Sequence, residues 1–360
     1  MWNSVGTAPG ANEIEVAVMG PGHGESVVIH LGGGRWMVID SCTDVEEANR
    51  APAPLRYLSA LGVKIDTAVE IVVASHWDDD HTQGLGAVVD ACPKAIFCCP
   101  SSLTKREFDG YVERLSTGAG NTKGANVSEF PKVLNLLADR GQTMWRAVPG
   151  REVLTTPLVR TWSPSDYEQE LFLDFIGQDV PKHAQAHRKA VPGSPNLTSI
   201  VVTIEWPESC VLLGADMLAH DDSRRGWIAV ASEAIRLSAR KGDLVKIPHH
   251  GSHTGHHVRM WTDMLHDQPM AVIAPYGRGL IDKRPPKSSD VNRIRKLSRS
   301  VHQTARHTTS GKKLSATMRL ALDAGLIRIS DDTVPMGLVR FRKAPGAAWR
   351  IEMFGAAFRH

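Results

Sequence analysis

No stretch of this 360-residue chain approaches the roughly 20 consecutive apolar residues that a membrane span requires. The opening segment, MWNSVGTAPGANEIEVAVMG, also lacks a basic run followed by an apolar one, so neither a secretory leader nor a membrane anchor is expected, and a cytoplasmic location is. Cysteine is scarce. The five present (Cys42, Cys92, Cys98, Cys99 and Cys210) are odd in number and have no zinc-finger spacing, which points to packed, reduced thiols rather than a disulfide framework. Excess charge is missing too: a formal net charge of +3 is too small to argue for nucleic acid or membrane, and 16 histidines leave the effective charge to their surroundings. Internal repeats, coiled-coil heptads and low-complexity tracts do not occur. What the chain does have is 42% apolar and 22% charged residues, the composition of an ordinary globular protein with one large core or two modest ones.

The segments EIEVAVMG, ESVVIHLG and RWMVIDSC predict three successive strands joined by the glycine-rich turns PGHG and GGG. A helix is expected around 46–62, then the strand AVEIVVASH, a short helix after Gly84, and a strand at KAIFCCP. Residues 101–190 show weak periodicity apart from a helix-like FPKVLNLLADRG and a strand pair near RAVPGREVLTT; they are expected to form an insertion over one face. Strand signals return in TSIVVTIEW, SCVLLGADM, DLVKIPHHG and MAVIAPYG, each ending in polar or small residues. Residues 1–310 are read as one domain and 311–360 as an extension packed on it, closing with the strand-like GLVRFRK and AWRIEMFGAAF.

The stretch VVASHWDDDHTQGL raises the central question, because three adjacent carboxylates repel one another and raise each other's pKa unless a cation neutralises them. A metal is the economical neutraliser. His76 and Asp78 stand two apart while Asp80 and His81 are adjacent, so a tight turn leaving a strand can direct two pairs of ligands at neighbouring sites; Asp79 is expected to point away. Nitrogen and oxygen donors together suit zinc, manganese or iron better than magnesium or calcium. The bland alternative is a solvated acidic turn with histidine caps. Further candidates end other strands: Asp40 in MVIDSC, Asp216 in VLLGADM, and His249 and His250 in KIPHHGSHTG. Singly, an Asp after a strand is a turn former; together beside HWDDDH they suggest convergence.

These residues carry a resemblance to the metallo-β-lactamase superfamily, whose signature is H-x-H-x-D-H followed by later His, Asp and His ligands. Here HWDDDH places Asp78 where the second histidine usually stands, and in this it is similar to the soluble hydrolase domain of ComEC-type competence proteins, the bacterial DNA-uptake channels. The likeness extends to GHGESVVIHLGGGRWMVIDSC, to NLTSIVVTIEW with VLLGADM, to DLVKIPHHGS, and to RPPKSSDVNRIRKL with VHQTA, over roughly residues 12–305. What the resemblance implies is an α/β fold, a four-layered αβ/βα sandwich with an insertion and a C-terminal β extension, holding a metal site along one edge. Position by position, it implies that His76 and Asp78 bind one divalent ion, Asp80, His81 and His250 another, and that Asp216 bridges them. Asp40 would support the ligands from behind. Asn196 stands near the position of the superfamily's third-motif histidine, or else caps the entry of a strand. An oxygen-rich set of this kind favours manganese over zinc.

Two such ions would arm a shared water and clamp the oxygens of an in-line displacement, a chemistry that suits phosphodiesters. Asp80 is then expected to act in catalysis, Ser252 to donate a hydrogen bond to the transition state, and His249, with His253, His183 or His187 as alternatives, to protonate the leaving group. Lys283, Arg284, Lys287, Arg293, Arg295, Lys296 and Arg299, with Lys105, Arg106, Lys123 and Lys132, could neutralise the phosphates of DNA or RNA, or simply form solvated faces. Phe108, Tyr111 and Tyr276 are the few nearby aromatics that could stack on bases. Three readings compete: a metal-dependent phosphodiesterase or nuclease, a hydrolase of a small ester, lactone, thioester or nucleotide, and a non-catalytic binding subunit that keeps the fold.

Overall fold

The computed structural model describes residues 1–22, 24–44, 50–117, 125–178, 195–277, 284–306 and 334–360. The strands, in chain order, are β1 (Ile14–Gly20), β2 (Ser26–Gly32), β3 (Arg35–Ile39), β4 (Val69–Val73), β5 (Ile96–Pro100), β6 (Trp145–Ala147), β7 (Arg151–Thr155), β8 (Leu158–Thr161), β9 (Val202–Trp206), β10 (Ser209–Leu213), β11 (Gly242–Lys246), β12 (Leu265–Ile273), β13 (Ser300–Gln303), β14 (Gly337–Lys343), β15 (Arg350–Gly355) and β16 (Phe358–Arg359). They form two sheets. One runs β15-β14-β1-β2-β3-β4-β5-β6 and the other β16-β13-β12-β11-β10-β9-β8-β7.

Helices α1 (Ala53–Ala60), α2 (Ile65–Ala68), α3 (Asp79–Thr82), α4 (Leu85–Ala91), α5 (Arg106–Thr117), α6 (Ala125–Asp139) and α7 (Asp166–Gln178) follow strands of the first half. Helices α8 (Gly226–Arg236), α9 (Val258–Asp263) and α10 (Ser288–Leu297) belong to the second. Three apolar clusters define four layers: one between helices and the first sheet, one between the sheets, and one between the second sheet and α8, α9 and α10. The period-2 geometry of a strand explains why single strands feed two cores. In β1, Ile14, Val16 and Val18 enter the inter-sheet cluster, while Ala17 and Met19 enter the helix-facing one. A strand buried on both faces needs a nearly continuous apolar run, which EIEVAVMG and AVEIVVASH show apart from Glu15 and Glu70.

The structure is therefore the expected αβ/βα sandwich with its C-terminal β extension. In that extension β14 pairs antiparallel with β1, β15 covers β14, and β16 pairs with β13, so one segment edges both sheets. Within 101–190, β6 adds an edge strand to the first sheet and the β7–β8 hairpin one to the second. Parallel pairing of β3, β4 and β5 and of β10, β11, β12 and β13 aligns the carboxyl ends of those strands within each sheet. The polar residues that end these strands are thereby gathered along one edge, where ligand sites of parallel sheets form.

Candidate metal centre

After β4 the chain leaves the first sheet through Ala74, Ser75 and His76, and the next residue, Trp77, is fully buried. Its indole packs edge-on against Phe108, Tyr111 and Phe172, at centroid distances of 5.5, 5.6 and 6.2 Å. An aromatic anchor between two candidate ligands fixes the turn that carries them. Asp78 then caps α3, its Oδ1 accepting the Asp79 N–H at 2.8 Å. Burial, followed by the nearby Asp80 carboxylate, pushes its pKa up to about 7. Asp80 and His81, in the first turn of α3, are buried.

Hydrogen bonds fix the tautomers of three histidines. Asp40, at the end of β3, accepts the Ser75 N–H at 2.7 Å on Oδ1 and the Ser75 hydroxyl at 2.6 Å on Oδ2. A carboxylate accepts only, so the Ser75 proton is committed to it. The Ser75 oxygen at 3.0 Å from His76 Nδ1 must then accept, which places the proton of His76 on Nδ1. His81 Nδ1 stands 2.7 Å from the same Asp40 Oδ2 and donates to it. His250 Nδ1 donates to the Ala274 carbonyl at 3.0 Å. The Nε2 atoms of His76, His81 and His250 are all buried and have no hydrogen-bond partner.

The carboxylates face two of those nitrogens, on His81 and His250. Asp80 Oδ2 lies 3.0 Å from His250 Nε2 and 4.0 Å from His81 Nε2. Asp216, after β10, places Oδ1 3.5 Å from His81 Nε2 and Oδ2 3.4 Å from His250 Nε2. Asp80 Oδ2 and Asp216 Oδ1 are likewise buried without a partner. Lone pairs on imidazole and carboxylate atoms this close repel unless a cation stands between them. In the bare chain the histidines would supply it: burial opposes protonation of His81 and His250, yet Asp216 and the other carboxylates outweigh it and hold both well above the ordinary histidine range. Burial and the charge of His81 instead push His76 down to about 3, so it stays a neutral donor. A converging set of orphaned nitrogen and oxygen lone pairs is the donor set a divalent ion takes, so the residues fit one.

Backbone strain concentrates here as well. Asp40, Ala215, His249 and His250 have φ of 59, 42, 48 and 53°, four of the seven described non-glycine residues with positive φ. Such backbone costs about 1–3 kcal/mol per residue and persists where the surroundings dictate it. Gly24 makes the close approach that closes the edge: a Cβ there would lie 1.9 Å from the Asp80 carbonyl oxygen.

Two buried residues escaped sequence reasoning. Glu25, at the start of β2, sits 3.4 Å from His250 Nδ1 and 3.9 Å from His81 Nδ1, and the ligand-capable atoms of Glu25, His81, Asp216 and His250 all lie within 4.8 Å of one another. Lys246, the last residue of β11, is 1% exposed and forms an ion pair with Glu25. The available signal was a lysine inside the apolar run LVKI and the acidic residue of GHGES.

Beside His250, the Asn196 amide nitrogen is 3.4 Å from His249 Nε2, His249 Nδ1 is 2.8 Å from Thr254 Oγ1, and Thr254 Oγ1 is 2.9 Å from Ser252 Oγ. An amide nitrogen only donates, so this amide orientation makes His249 an Nδ1–H donor and directs the Thr254 proton to Ser252. Asn196 Oδ1 is buried without a partner. His253 is exposed, and His183 and His187 lie outside the described residues.

The family model described as Metallo-beta-lactamase superfamily matches residues 19–260, more than half of the chain. The chain belongs to the metallo-β-lactamase superfamily. No curated protein matches it. Among solved structures it is similar to the metallo-β-lactamase fold protein YhfI from Bacillus subtilis, 12% identical over 81% of this chain and 95% of that one, with a TM-score of 0.42. It is similar to a metallo-β-lactamase with a HARLDQ motif from Cronobacter sakazakii, 13% identical over 61% of this chain and 66% of that one, TM-score 0.33. A third similar structure is Zn(2+)-bound PqqB from Methylobacterium extorquens, 12% identical over 61% of this chain and 58% of that one, TM-score 0.34.

In this metallo-β-lactamase superfamily chain several expected phosphate contacts are otherwise engaged. Arg293 donates to Asp290 Oδ1 at 2.7 Å and to the Gly251 carbonyl at 3.0 Å, so it holds α10 to the loop of His250. Lys132 pairs with Glu129 at 2.8 Å, and Arg284 is buried. Lys287 is the N-cap residue of α10. Lys296 and Arg299 lie just before β13, their backbone bonded to Gln268 and Pro269 in the middle of β12. Five residues of extended strand, about 16 Å, separate that point from Ala274 beneath His250. Phe108 and Tyr111 are core residues, whereas Tyr276 is half-buried with its ring 5.2 Å from that of His250. Lys123 and Lys283 lie outside the described residues. None of the described helices is long and apolar enough to cross a membrane.

Proposed function

We propose that this chain is a divalent-metal-dependent hydrolase whose substrates are phosphodiesters, in the manner of the ComEC-type domains its HWDDDH motif resembles. The observation that carries the reading is the shared protonation of His76, His81 and His250 at Nδ1, which leaves three buried Nε2 lone pairs, those of His81 and His250 facing the oxygens of Asp80 and Asp216. His76, Asp80, His81, Asp216 and His250 would hold the metal ions, with Asp78 and the Asn196 carbonyl completing an oxygen-rich set that favours manganese over zinc. Bound divalent cations supply the charge that acidifies water and neutralises phosphate oxygens. Asp40 and Ser75 keep the histidines in the donor tautomer. Ser252 accepts within its own turn and retains a proton to donate to a substrate oxygen; His249 holds the Asn196 amide beside His250. In this reading Asp80 both ligates and orders the attacking water.

A second reading, hydrolysis of a small ester, lactone, thioester or nucleotide, is favoured by the placement of Lys296 and Arg299 before the amino end of β13 rather than beside the histidines. Elemental analysis of purified protein, followed by assays with added manganese on linear DNA, RNA and bis-p-nitrophenyl phosphate, tests the proposal. Turnover of bis-p-nitrophenyl phosphate abolished by chelation is the expected result. Turnover of carboxylic esters or lactones with no phosphodiester cleavage would replace the first reading with the second, and absence of bound metal would remove both.

A further inference from the structure

We infer that Glu25 and Lys246 form a clamp that sets the position of the metal ligands, a role that rests on the metal-binding reading above and extends it to two residues outside the proposed ligand set. A buried lysine and glutamate demand a reason, because replacing such a pair with apolar side chains of equal volume is commonly neutral or stabilising. The reason lies in what the pair touches. Lys246 Nζ bridges the Glu25 carboxylate and, at 3.1 Å, the carbonyl of Ala215, the strained residue immediately before Asp216. The Glu25 N–H donates to the Asp80 carbonyl at 2.9 Å, and Gly24 beside it leaves no room for a Cβ against that carbonyl. Glu25 Oε2 faces Nδ1 of His250 at 3.4 Å.

Two buried charges therefore connect the ends of β2, β10 and β11 with α3, the elements that carry Asp80, Asp216 and His250. Glu25 approaches both His81 and His250 at Nδ1, the side of the ring away from the nitrogen that meets Asp80 and Asp216. That geometry marks a positioning residue rather than a ligand: it steadies the rings from behind, as Asp40 does for His81. The lysine brings an ammonium group paired with Glu25 close to the metal cluster. Its electrostatic effect alone opposes cation binding, whereas its positional effect favours it.

The opposite signs make the inference testable by titrating manganese into metal-free protein in a calorimeter, alongside thermal unfolding of the same samples. Lys246→Met removes the competing charge and also releases Glu25 and Ala215. The clamp predicts manganese binding weakened by about tenfold to a hundredfold, with Lys246→Arg restoring most of it. Glu25→Gln should weaken binding similarly and Glu25→Asp less. In the double variant Glu25→Gln/Lys246→Met the loss should be smaller than the sum of the two single losses, since either change alone already dismantles the clamp. Tighter or unchanged binding in folded Lys246→Met overturns the clamp while leaving the metal site standing; should Lys246→Met fail to fold, a folded Lys246→Arg or Glu25→Asp that binds no better than Glu25→Gln does the same. Wild-type protein that takes up neither manganese nor zinc overturns the metal-binding reading itself.

Discussion

A cluster of buried charge along the strand-end edge of both sheets and another on the first sheet are built on opposite principles. On the outer strands of the first sheet Tyr57 donates to Glu15 Oε1 at 2.6 Å, Arg342 pairs with Glu15 Oε2 and donates to the Thr7 carbonyl at 2.6 Å, and Arg340 bonds Val5, Tyr57 and Glu352. No polar side-chain atom of Glu15, Tyr57, Arg340 or Arg342 is left buried without a partner. Along the strand-end edge, atoms of Glu25, His76, Asp80, His81, Asp216 and His250 are left so, and those of Asp80, His81, Asp216 and His250 converge to within 4.0 Å of a neighbour in the set. The difference teaches that buried charge by itself marks architecture. A closed network holds the fold, whereas convergent orphaned lone pairs mark a place built for a cation.

The largest effect that would test this contrast belongs to the open cluster. Asp80→Asn and His81→Ala should each lower hydrolysis of bis-p-nitrophenyl phosphate on the order of a thousandfold. The metal-free variants should melt below wild type, because, against burial, His81 and His250 hold the Asp80 carboxylate well below its ordinary range and His81 supplies positive charge to the bare cluster; full retained activity in either would remove the site. In the closed cluster the effect should fall on stability. Arg342→Met leaves Glu15 buried without its partner, which costs about 3–5 kcal/mol, read by urea unfolding, while manganese bound per mole of folded protein stays at the wild-type level. A drop in metal stoichiometry with unchanged stability would reverse the assignment.

A smaller effect separates the two kinds of burial by pH. The folded pKa of Asp78, about 7, lies above that of an unfolded aspartate, so its contribution to stability is present below the unfolded value and is lost as pH rises through about 7. Asp78→Asn, which keeps a capping side chain, should therefore stabilise the metal-free protein at pH 8 by on the order of 1–3 kcal/mol and leave it near wild type at pH 4. Thermal melts at the two pH values decide; equal effects at both would mean that Asp78 is not desolvated beside Asp80. Smallest of all should be Lys296→Gln/Arg299→Gln, expected to change phosphodiester turnover by less than about twofold, since these residues stand before the amino end of β13, away from the carboxyl strand ends that carry the histidines. A large fall in turnover on DNA, with bis-p-nitrophenyl phosphate unaffected, would place a nucleic-acid path along that face.

The strands were legible because a strand buried on both faces must read as a nearly continuous apolar run, as in EIEVAVMG and AVEIVVASH. The short helix after Gly84 and the C-terminal strands were also legible, whereas the helix expected around 46–62 is described only as α1 within Ala53–Ala60. His76, Asp80, His81, Asp216 and His250 stood out as polar residues at strand ends, and they come together. Asp78 does the local work of a helix cap, and Ser252 that of a turn acceptor, roles that sequence spacing cannot distinguish from ligation or catalysis. Phe108 and Tyr111 were named as aromatics that could stack on bases, whereas both are buried against Trp77, and Phe130 and Phe172 pack on Phe108.

The order of apolar runs and the identity of the donor atoms were set by the sequence alone, since strand pattern and lone-pair chemistry are local properties. Which atoms were spent on the protein and which were left to converge was decided by tertiary structure. Hydrogen-bond partners such as Asp40 with His81, or Lys246 with Glu25, are separated by tens to hundreds of residues, and a proton is assigned to one nitrogen of a histidine only when the group facing it is in place.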